Sequence, residues 1–127
     1  MLKWLCLAIR LCDTISGPAY TIDGDTIAVD GYHVRLAGLD AEEMSEPNGP
    51  AAKMAMIRLL YRQTVVCTIN GKSYNRYVGT CHIGSLDLAA EMIRQGWALD
   101  CARYSGGKYR HLEPIGSRRR LAQKPYC

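Results

Sequence analysis

The sequence predicts an α+β protein, mainly β, in which a small five-stranded β-barrel carries two to three helices. Three observations lead to this fold class. Short runs of alternating or β-branched residues recur along the chain, Asp-Gly pairs supply tight turns between the first of them, and two helical segments interrupt the series. The length of 127 residues suits one domain with a single core.

The first half of the chain reads as three short antiparallel strands followed by a helix. Asp23-Gly24 and Asp30-Gly31 are strong turn signals between the strands. The predicted strands are Tyr20–Ile22, Thr26–Val29 and Tyr32–Leu39. After the loop "AEEMSEPNGP", Pro50 suits the first turn of a helix with Asn48 or Gly49 near its cap, and "AAKMAMIRLLYR" has the helical apolar spacing.

The second half predicts two more strands, at 64–69 and 77–83, and a helix. The helix begins near Ser85 and ends before Gly96. A short extended segment follows within 97–104, and the glycines and prolines beyond it favour short helical turns over one long helix. Five strands with a helix after the third favour a closed barrel of the oligonucleotide-binding type. We therefore expect an N-terminal segment, 1–13, and one domain, 14–127, with an irregular tail from about residue 105.

The bulk composition is that of a globular, mildly basic protein. Hydrophobic residues make up 48% and charged residues 22%, and the net charge of +4 fits an anionic partner without requiring one. The sequence contains no run of 18 apolar residues, so we expect no complete membrane span. The N-terminus "MLKWLCLAIRLCDT" fits a shortened export signal, a helix at a membrane surface, or a helix packed on the domain.

Six cysteines are many for a reducing compartment. Their even number in a small chain favours disulfides and an exported protein, periplasmic or secreted. The alternative is a set of buried free thiols, which pack as small hydrophobes. No Cys-x-x-Cys pair occurs, which argues against a zinc ribbon.

A cluster of charged residues lies where the early strands end. Asp25 follows the first Asp-Gly turn and Asp40 closes the third predicted strand, so both carboxylates can meet at one rim of the barrel. With the Ala41 carbonyl they would offer oxygen ligands to a hard cation, while Glu43 could hold a water and Arg35 could bind phosphate. This set fits cation-assisted phosphodiester hydrolysis. The alternative is a pair of turn aspartates beside a surface ion pair.

Several separated motifs resemble the staphylococcal nuclease (thermonuclease) family in order and spacing. They are "IDGDTIAV", "VRLAGLDAEE", "GPAAK", "YNR" and "AAEMIRQGWA", and they cover roughly residues 15 to 104. The resemblance implies a five-stranded oligonucleotide-binding barrel that cleaves DNA and RNA with Ca²⁺. Oxygen ligands alone would equally suit Mg²⁺ or Mn²⁺.

The resemblance also implies a role for each matching residue. Asp25, Asp40 and the carbonyl of Ala41 would hold the ion, and Glu43 would act on the attacking water. Arg35 and Arg76 would bind phosphate, and Tyr74 would lie beside the nucleotide. Tyr104 and Tyr109 could each stack on a base or simply pack.

The chain departs from the family's pattern at four places. Ala41 replaces the threonine of the type member, but its backbone carbonyl can still bind an ion. Glu42 replaces the usual proline, and it could strengthen cation binding or face solvent. Asn75 replaces the glycine of Tyr-Gly-Arg and tolerates a left-handed backbone. Pro114 and Gly116 interrupt the region of the family's long C-terminal helix, so nothing is carried over beyond Tyr104.

Two cysteine pairings follow from the predicted strands and tail. Cys67 and Cys81 should face the core from adjacent strands, and Cys101 with Cys127 could tether the tail, each bond stabilising by about 3 kcal/mol. Cys6 and Cys12 are either a pair or free thiols. The "SRRR" run at 117–120 is either a solvated surface or an additional phosphate attractor, and we assign the three histidines no catalytic role.

These features predict a Ca²⁺-dependent endonuclease with little sequence specificity. Its partners would be DNA and/or RNA, with single strands preferred, and we expect a monomer with no small-molecule cofactor. One alternative is a non-catalytic module of the same fold that binds nucleic acid or a nucleotide. Another is an accessory protein of a cell-surface or export pathway.

Overall fold

The computed structural model describes residues 13–127, and its centre is a closed five-stranded β-barrel. The strands are β1 Thr14–Asp23, β2 Thr26–Val29, β3 Tyr32–Leu36, β4 Leu39–Ala41, β5 Thr64–Ser73, β6 Arg76–Ile83, β7 Leu86–Asp87 and β8 Ala98–Asp100. The helices are α1 Gly49–Leu60, α2 Leu88–Arg94, α3 Ala102–Ser105 and α4 Ser117–Arg120, with a 3-10 helix at Arg110–Leu112.

The barrel follows the order β3-β2-β1-β5-β6 and closes through a pairing of β3 with β6. Neighbours in this order are antiparallel, whereas the closing pair is parallel. Closure leaves no open sheet edge between β3 and β6. The fold class predicted from the sequence, α+β and mainly β with a five-stranded barrel, is confirmed. Residues 13–127 hold four α-helices where the sequence predicted two to three, and α3 and α4 are single turns of four residues each.

The first strand is longer than the sequence predicts, because it serves two neighbours. Its first half pairs with β5, from Thr14↔Thr68 to Pro18↔Thr64, and its second half pairs with β2. Pro18 cannot donate a backbone hydrogen bond, but its carbonyl accepts one from Asp30 N at 3.0 Å. The "SGP" stretch is therefore a crossing point inside one strand, although its composition resembles a loop.

The predicted strand Tyr32–Leu39 is in fact two strands. Gly38 adopts a left-handed φ of 77° and ends the run, so β3 stops at Leu36 and β4 begins at Leu39. β4 pairs with β8 in a separate two-stranded sheet. Asp40 consequently lies in β4 and not at the end of the third barrel strand as the sequence suggested.

Helices α1 and α2 pack against the barrel and cover its core. α1 begins after Asn48, as predicted, whereas α2 is capped by Asp87, two residues after the predicted start; Asp87 accepts hydrogen bonds from Ala89 N and Ala90 N. The Asp87 carboxylate also accepts the hydroxyl of Tyr109, which is buried. Tyr109 is therefore a packing residue and does not reach a base.

Both expected disulfides are present. Cys67–Cys81 joins directly opposite residues of β5 and β6, and both cysteines are buried in the core. Cys101–Cys127 joins the end of β8 to the last residue of the tail. The questions of Cys6, Cys12 and the N-terminal segment lie outside the described residues. Within 13–127, the structure contains no helix long and apolar enough to cross a membrane.

The irregular tail consists of short turns, as expected, and the "SRRR" run has a use that the sequence did not indicate. Arg118 pairs with Glu113 at 2.7 Å and donates to the Asp100 carbonyl at 3.1 Å. Arg120 donates to the Gly96 carbonyl at 2.6 Å. Two of these arginines thus anchor the tail to the domain, so the run is not simply a solvated surface.

Candidate active site

Asp25 lies at the turn from β1 to β2, with its residue only 7% exposed. Its backbone carbonyl accepts from Leu36 N at 2.9 Å, which ties the turn to β3. Gly24 precedes it in tight surroundings, since a Cβ there would lie 2.9 Å from that of Ala41. The missing side chain of Gly24 therefore lets the β1–β2 turn approach β4 closely.

The pKa of Asp25 is raised to about 7. The main cause is burial, which penalises the charged carboxylate; the Asp23 carboxylate adds to the increase. Arg35 and Lys124 act in the opposite direction by attraction. A nearby cation would therefore find Asp25 partly protonated around neutral pH.

Asp40 is almost completely buried on β4, at 1% exposure. The pairing of Asp40 with Leu99 of β8 fixes its backbone. Its carboxylate accepts two hydrogen bonds from Lys124, from the backbone N–H at 2.9 Å and from the ammonium at 2.8 Å. The charge of Asp40 is thus paired despite its burial, as a buried carboxylate requires.

Glu43 follows β4 and is the exposed member of the cluster, with its side chain 55% accessible. Its backbone is held by Glu46, whose side chain accepts from Glu43 N at 2.7 Å. The start of α1 presses on the same point, because a Cβ on Gly49 would lie 1.8 Å from the Glu43 carbonyl oxygen. Only glycine fits at 49, and this packing positions Glu43 at the edge of the cluster.

One side chain from the tail brings these residues together. The Lys124 ammonium nitrogen faces four oxygen atoms at the rim of the barrel. They are, with their distances from Nζ, the Ala41 carbonyl oxygen (2.7 Å), Asp40 Oδ1 (2.8 Å), Glu43 Oε1 (3.4 Å) and Asp25 Oδ2 (3.9 Å). These are the four residues that the sequence assigned to the cation and the attacking water. Their convergence on one point places them in one site.

The two arginines lie next to this cluster. Arg35 Nη2 is 3.4 Å from Asp25 Oδ2, and Arg35 also donates to the Leu36 carbonyl at 2.7 Å. Arg76 donates to Thr26 Oγ1 at 3.2 Å, and Thr26 in turn donates to the Asp25 carboxylate. Both guanidinium groups are therefore positioned by the strand that follows Asp25 or by Asp25 itself.

Both arginines also line a cavity of about 420 Å³. Its wall includes Tyr74, Tyr104 and Tyr126. Tyr104 and Tyr126 meet edge to face, with ring centroids 6.4 Å apart, and both are about half exposed. Cationic groups beside exposed rings suit a nucleotide, whose phosphate and base need these two kinds of contact.

Tyr74 lies at the tip of the β5–β6 hairpin and is 96% exposed. It takes the left-handed backbone itself, at φ 58°, so the turn does not use the tolerance of Asn75 for that conformation. The turn thus projects the ring of Tyr74 into solvent at the edge of the cavity. In this position it can reach a bound nucleotide without contributing to the core.

Glu42 neither faces solvent nor joins the cation cluster, the two roles that the sequence suggested. The residue is 5% exposed. Its carboxylate accepts from Asn48 N at 2.9 Å, Asn48 Nδ2 at 3.1 Å and Ala122 N at 2.8 Å. Burial raises its pKa, but the Ala122 and Asn48 donors outweigh that effect and leave the pKa lowered. Glu42 therefore joins the start of α1 to the tail.

The residues present suit a hard cation by their chemistry. The converging donors are all oxygen atoms, as calcium or magnesium prefers, with neither nitrogen nor sulfur among them. Among residues 13–127, however, no three His, Cys, Asp or Glu side chains are arranged to hold a metal together. A bound ion would depend on Asp25, Asp40 and the Ala41 carbonyl, with water or substrate completing its coordination.

Lys124 and Tyr126 are the site residues that sequence reasoning missed. Nothing in "QKPYC" marks either as functional. The signal that could have located them is the expected Cys101–Cys127 bond, because Cys101 directly follows β8, the partner of β4. A tail tied to Cys101 must pass close to Asp40.

Comparisons with known proteins identify the family of the domain. The chain is 32% identical over 89 residues to an uncharacterized endonuclease of Haemophilus influenzae, which covers 65% of this chain and 50% of that protein. It is 27% identical over 75 residues to a probable staphylococcal-like nuclease of Oryza sativa subsp. japonica, covering 58% of this chain and 20% of that one. The chain thus spans half or less of the length of these curated relatives. The family model for staphylococcal nuclease homologues matches residues 33–125, most of the domain, and the chain belongs to that family.

Proposed function

We propose that this protein is a cation-dependent endonuclease that hydrolyses phosphodiester bonds of DNA and/or RNA with little sequence specificity. The observation that carries the proposal is the position of Asp25. One oxygen of its carboxylate, Oδ2, lies 3.9 Å from the Lys124 ammonium that the oxygen cluster surrounds and 3.4 Å from Arg35, which lines the cavity. A phosphate between them would meet a cation and two guanidinium groups at once.

Each residue then has a defined task. Arg35 and Arg76 bind the phosphate oxygens and stabilise the charge that grows on them as water attacks. Glu43, exposed at the edge of the cluster, orients the attacking water and accepts its proton. As the new bond to phosphorus forms, the bond from phosphorus to the leaving sugar oxygen breaks, and that oxygen takes a proton from solvent. Asp25, Asp40 and the Ala41 carbonyl would hold the cation, which polarises the phosphoryl oxygen when bound.

We propose Ca²⁺ as the cation. The support is the resemblance to the staphylococcal nuclease family together with an oxygen-only donor set that includes a backbone carbonyl, a ligand type common in calcium sites. Mg²⁺ and Mn²⁺ accept the same donors, so the choice among the three is made by titration.

We further propose that single strands are the preferred substrate of an exported, monomeric enzyme. An unpaired base can turn into the cavity and stack on Tyr74 or Tyr104, which a base inside a duplex cannot do. The two disulfides support export, because such bonds persist in oxidising compartments.

The test is cleavage of heat-denatured DNA by purified protein in calcium and then in excess EDTA. Glu43→Gln is the test variant, and Glu91→Gln, on the outer face of α2, is the matched control. We expect cleavage that needs the cation, falls by roughly two orders of magnitude or more in Glu43→Gln, and is unchanged in Glu91→Gln. RNA and duplex DNA in parallel reactions define the substrate preference.

The opposite result is equally clear. If folded protein cleaves no nucleic acid in calcium, magnesium or manganese, the proposed nuclease activity is refuted. Retained binding of single-stranded DNA under those conditions would identify the domain as a binding module instead.

A further inference from the structure

The position that a cation would take is filled by a side chain of the same protein. The Lys124 ammonium lies 2.8 Å from Asp40 Oδ1 and 2.7 Å from the Ala41 carbonyl oxygen, at hydrogen-bonding distance from both. Glu43 and Asp25 complete its surroundings at 3.4 Å and 3.9 Å. An ammonium is a compact point charge, so it can neutralise a carboxylate cluster in the way a metal ion does.

The lysine is held in this position and does not merely visit it. Its own backbone N–H donates to Asp40 at 2.9 Å, and its side chain is only 19% exposed. Because backbone and side chain bind the same carboxylate, the ammonium has little freedom to leave while the tail stays in place.

The neighbouring tail residues are anchored as well. Ala122 donates to Glu42 at 2.8 Å, Gln123 donates to the Asp100 carbonyl at 2.9 Å, and Leu121 is buried. The Cys101–Cys127 bond closes the segment three residues beyond Lys124. The ammonium is therefore presented at a high effective concentration, as tethered ligands are.

We propose that Lys124 is the resident cation of this site: it holds the four oxygens together in the metal-free protein and competes directly with a divalent cation. The inference rests on the proposed cation site. It goes beyond that site because Lys124, a residue that does not bind the cation, determines how tightly the cation binds. A cation can bind only if the Lys124 ammonium withdraws from Asp40 and Ala41. Lys124 is thus a positioning residue that determines how much cation the site requires.

The test measures cation binding in the absence of nucleic acid. Calcium titration by calorimetry, with terbium luminescence as a second probe, compares the native protein with Lys124→Met, which keeps the stem and removes the charge. Lys53→Met removes the same charge from α1, where Lys53 forms no ion pair within residues 13–127, and is the matched control. We expect calcium to bind Lys124→Met roughly 10- to 100-fold more tightly, since charged hydrogen bonds no longer oppose it, with Lys53→Met unchanged.

A second variant separates the charge from the fold of the tail. Cys101→Ala/Cys127→Ala keeps Lys124 but releases its tether, and we expect an increase in calcium affinity smaller than that of Lys124→Met. Thermal unfolding supplies an independent readout. In EDTA, Lys124→Met should have a lower melting temperature than the native protein. Addition of calcium should raise the melting temperature of Lys124→Met by more than it raises that of the native protein.

Calcium affinity that is unchanged or lower in folded Lys124→Met would overturn the inference, and so would a folded variant that binds neither calcium nor terbium. This result is separate from the outcome for the nuclease. Tighter calcium binding by Lys124→Met, in a protein that cleaves no nucleic acid, would support competition by Lys124 and refute the proposed nuclease activity. Cleavage by a protein whose calcium affinity does not change in Lys124→Met would support the nuclease and refute the competition.

Discussion

Removal of the buried Glu42 carboxylate should destabilise the protein far more than removal of the Glu91 carboxylate on α2. Glu42→Ala deletes three hydrogen bonds, two of them from Asn48 and one from the backbone of Ala122. Hydrogen bonds to a charged acceptor contribute about 1.5 to 3 kcal/mol each, and water can reach part of this cluster. We therefore expect a loss of about 3 to 4 kcal/mol, a large part of the roughly 5 to 15 kcal/mol that stabilises a typical domain.

The assay is urea unfolding in EDTA at pH 7, followed by circular dichroism. Glu42→Gln keeps one acceptor but turns an amide towards the donors, so its expected loss is about 1 to 2 kcal/mol. Glu91→Ala is the control, and its ion pair with Arg94 should contribute less than about 1 kcal/mol. The lowered pKa of Glu42 means that its stabilisation is complete above the ordinary value of 4.5 and is lost as the pH falls through the lower folded value. The difference in the free energy of unfolding between the native protein and Glu42→Gln should therefore become smaller at acid pH.

The sign of the calcium effect decides between the two roles of Glu42. As a link to the tail, its loss leaves calcium affinity unchanged or raises it, because the tail that carries Lys124 is loosened. As a cation ligand, its loss would lower that affinity. A tenfold drop in calcium affinity with less than about 1 kcal/mol of destabilisation would refute the structural reasoning.

Two further predictions concern the site itself. Burial raises the pKa of Asp25 to about 7, so calcium affinity should fall by roughly tenfold per pH unit below that value. Calorimetry at pH 6 should detect about one proton released for each calcium ion bound. Equal calcium affinity at pH 5.5 and pH 8 would contradict this prediction. The same raised pKa disfavours the ionised form, so the contribution of Asp25 to metal-free stability is lost as the pH rises through about 7. Tyr126→Ala should raise the KM for single-stranded DNA by about fivefold or more, with Tyr126→Phe near the native value, because a stacked base gains about 1 to 3 kcal/mol; an equal effect of both variants would assign the role to the hydroxyl.

The part of the site that could be predicted lies on the barrel. Asp25 and Arg35 are separated by one hairpin, and their strands pair so that Thr26 opposes Arg35. Local turn signals determine such a register, and the sequence therefore places the two side chains correctly. The same reasoning located Cys67 opposite Cys81.

The part that could not be predicted depends on contacts distant in the chain. Lys124 lies 84 residues from Asp40, and neither periodicity nor turn chemistry relates the two. The role of Glu42 was missed for the same reason, because its partner Ala122 is 80 residues away. The missed break in the predicted third strand has a different cause. Gly38 lies within an apolar run that reads as one continuous strand, but its left-handed backbone ends that strand.

The small β4–β8 sheet connects these distant parts into one unit. β4 carries Asp40 and Ala41, β8 leads to Cys101, and Cys101 N donates to the Gly38 carbonyl at 2.8 Å at the start of the same sheet. The disulfide holds the tail beside this sheet, and Lys124 of the tail stabilises the sheet by binding Asp40. An ion that displaces Lys124 therefore removes a contact of the folded state. Calcium should then stabilise the native protein by less than its affinity for the Lys124→Met site implies, since the free energy of binding is partly offset by loss of the Lys124 contacts. A substitution that weakens the Lys124 contacts but leaves Asp25, Asp40 and the Ala41 carbonyl in place should therefore raise cation affinity while it lowers the stability of the tail.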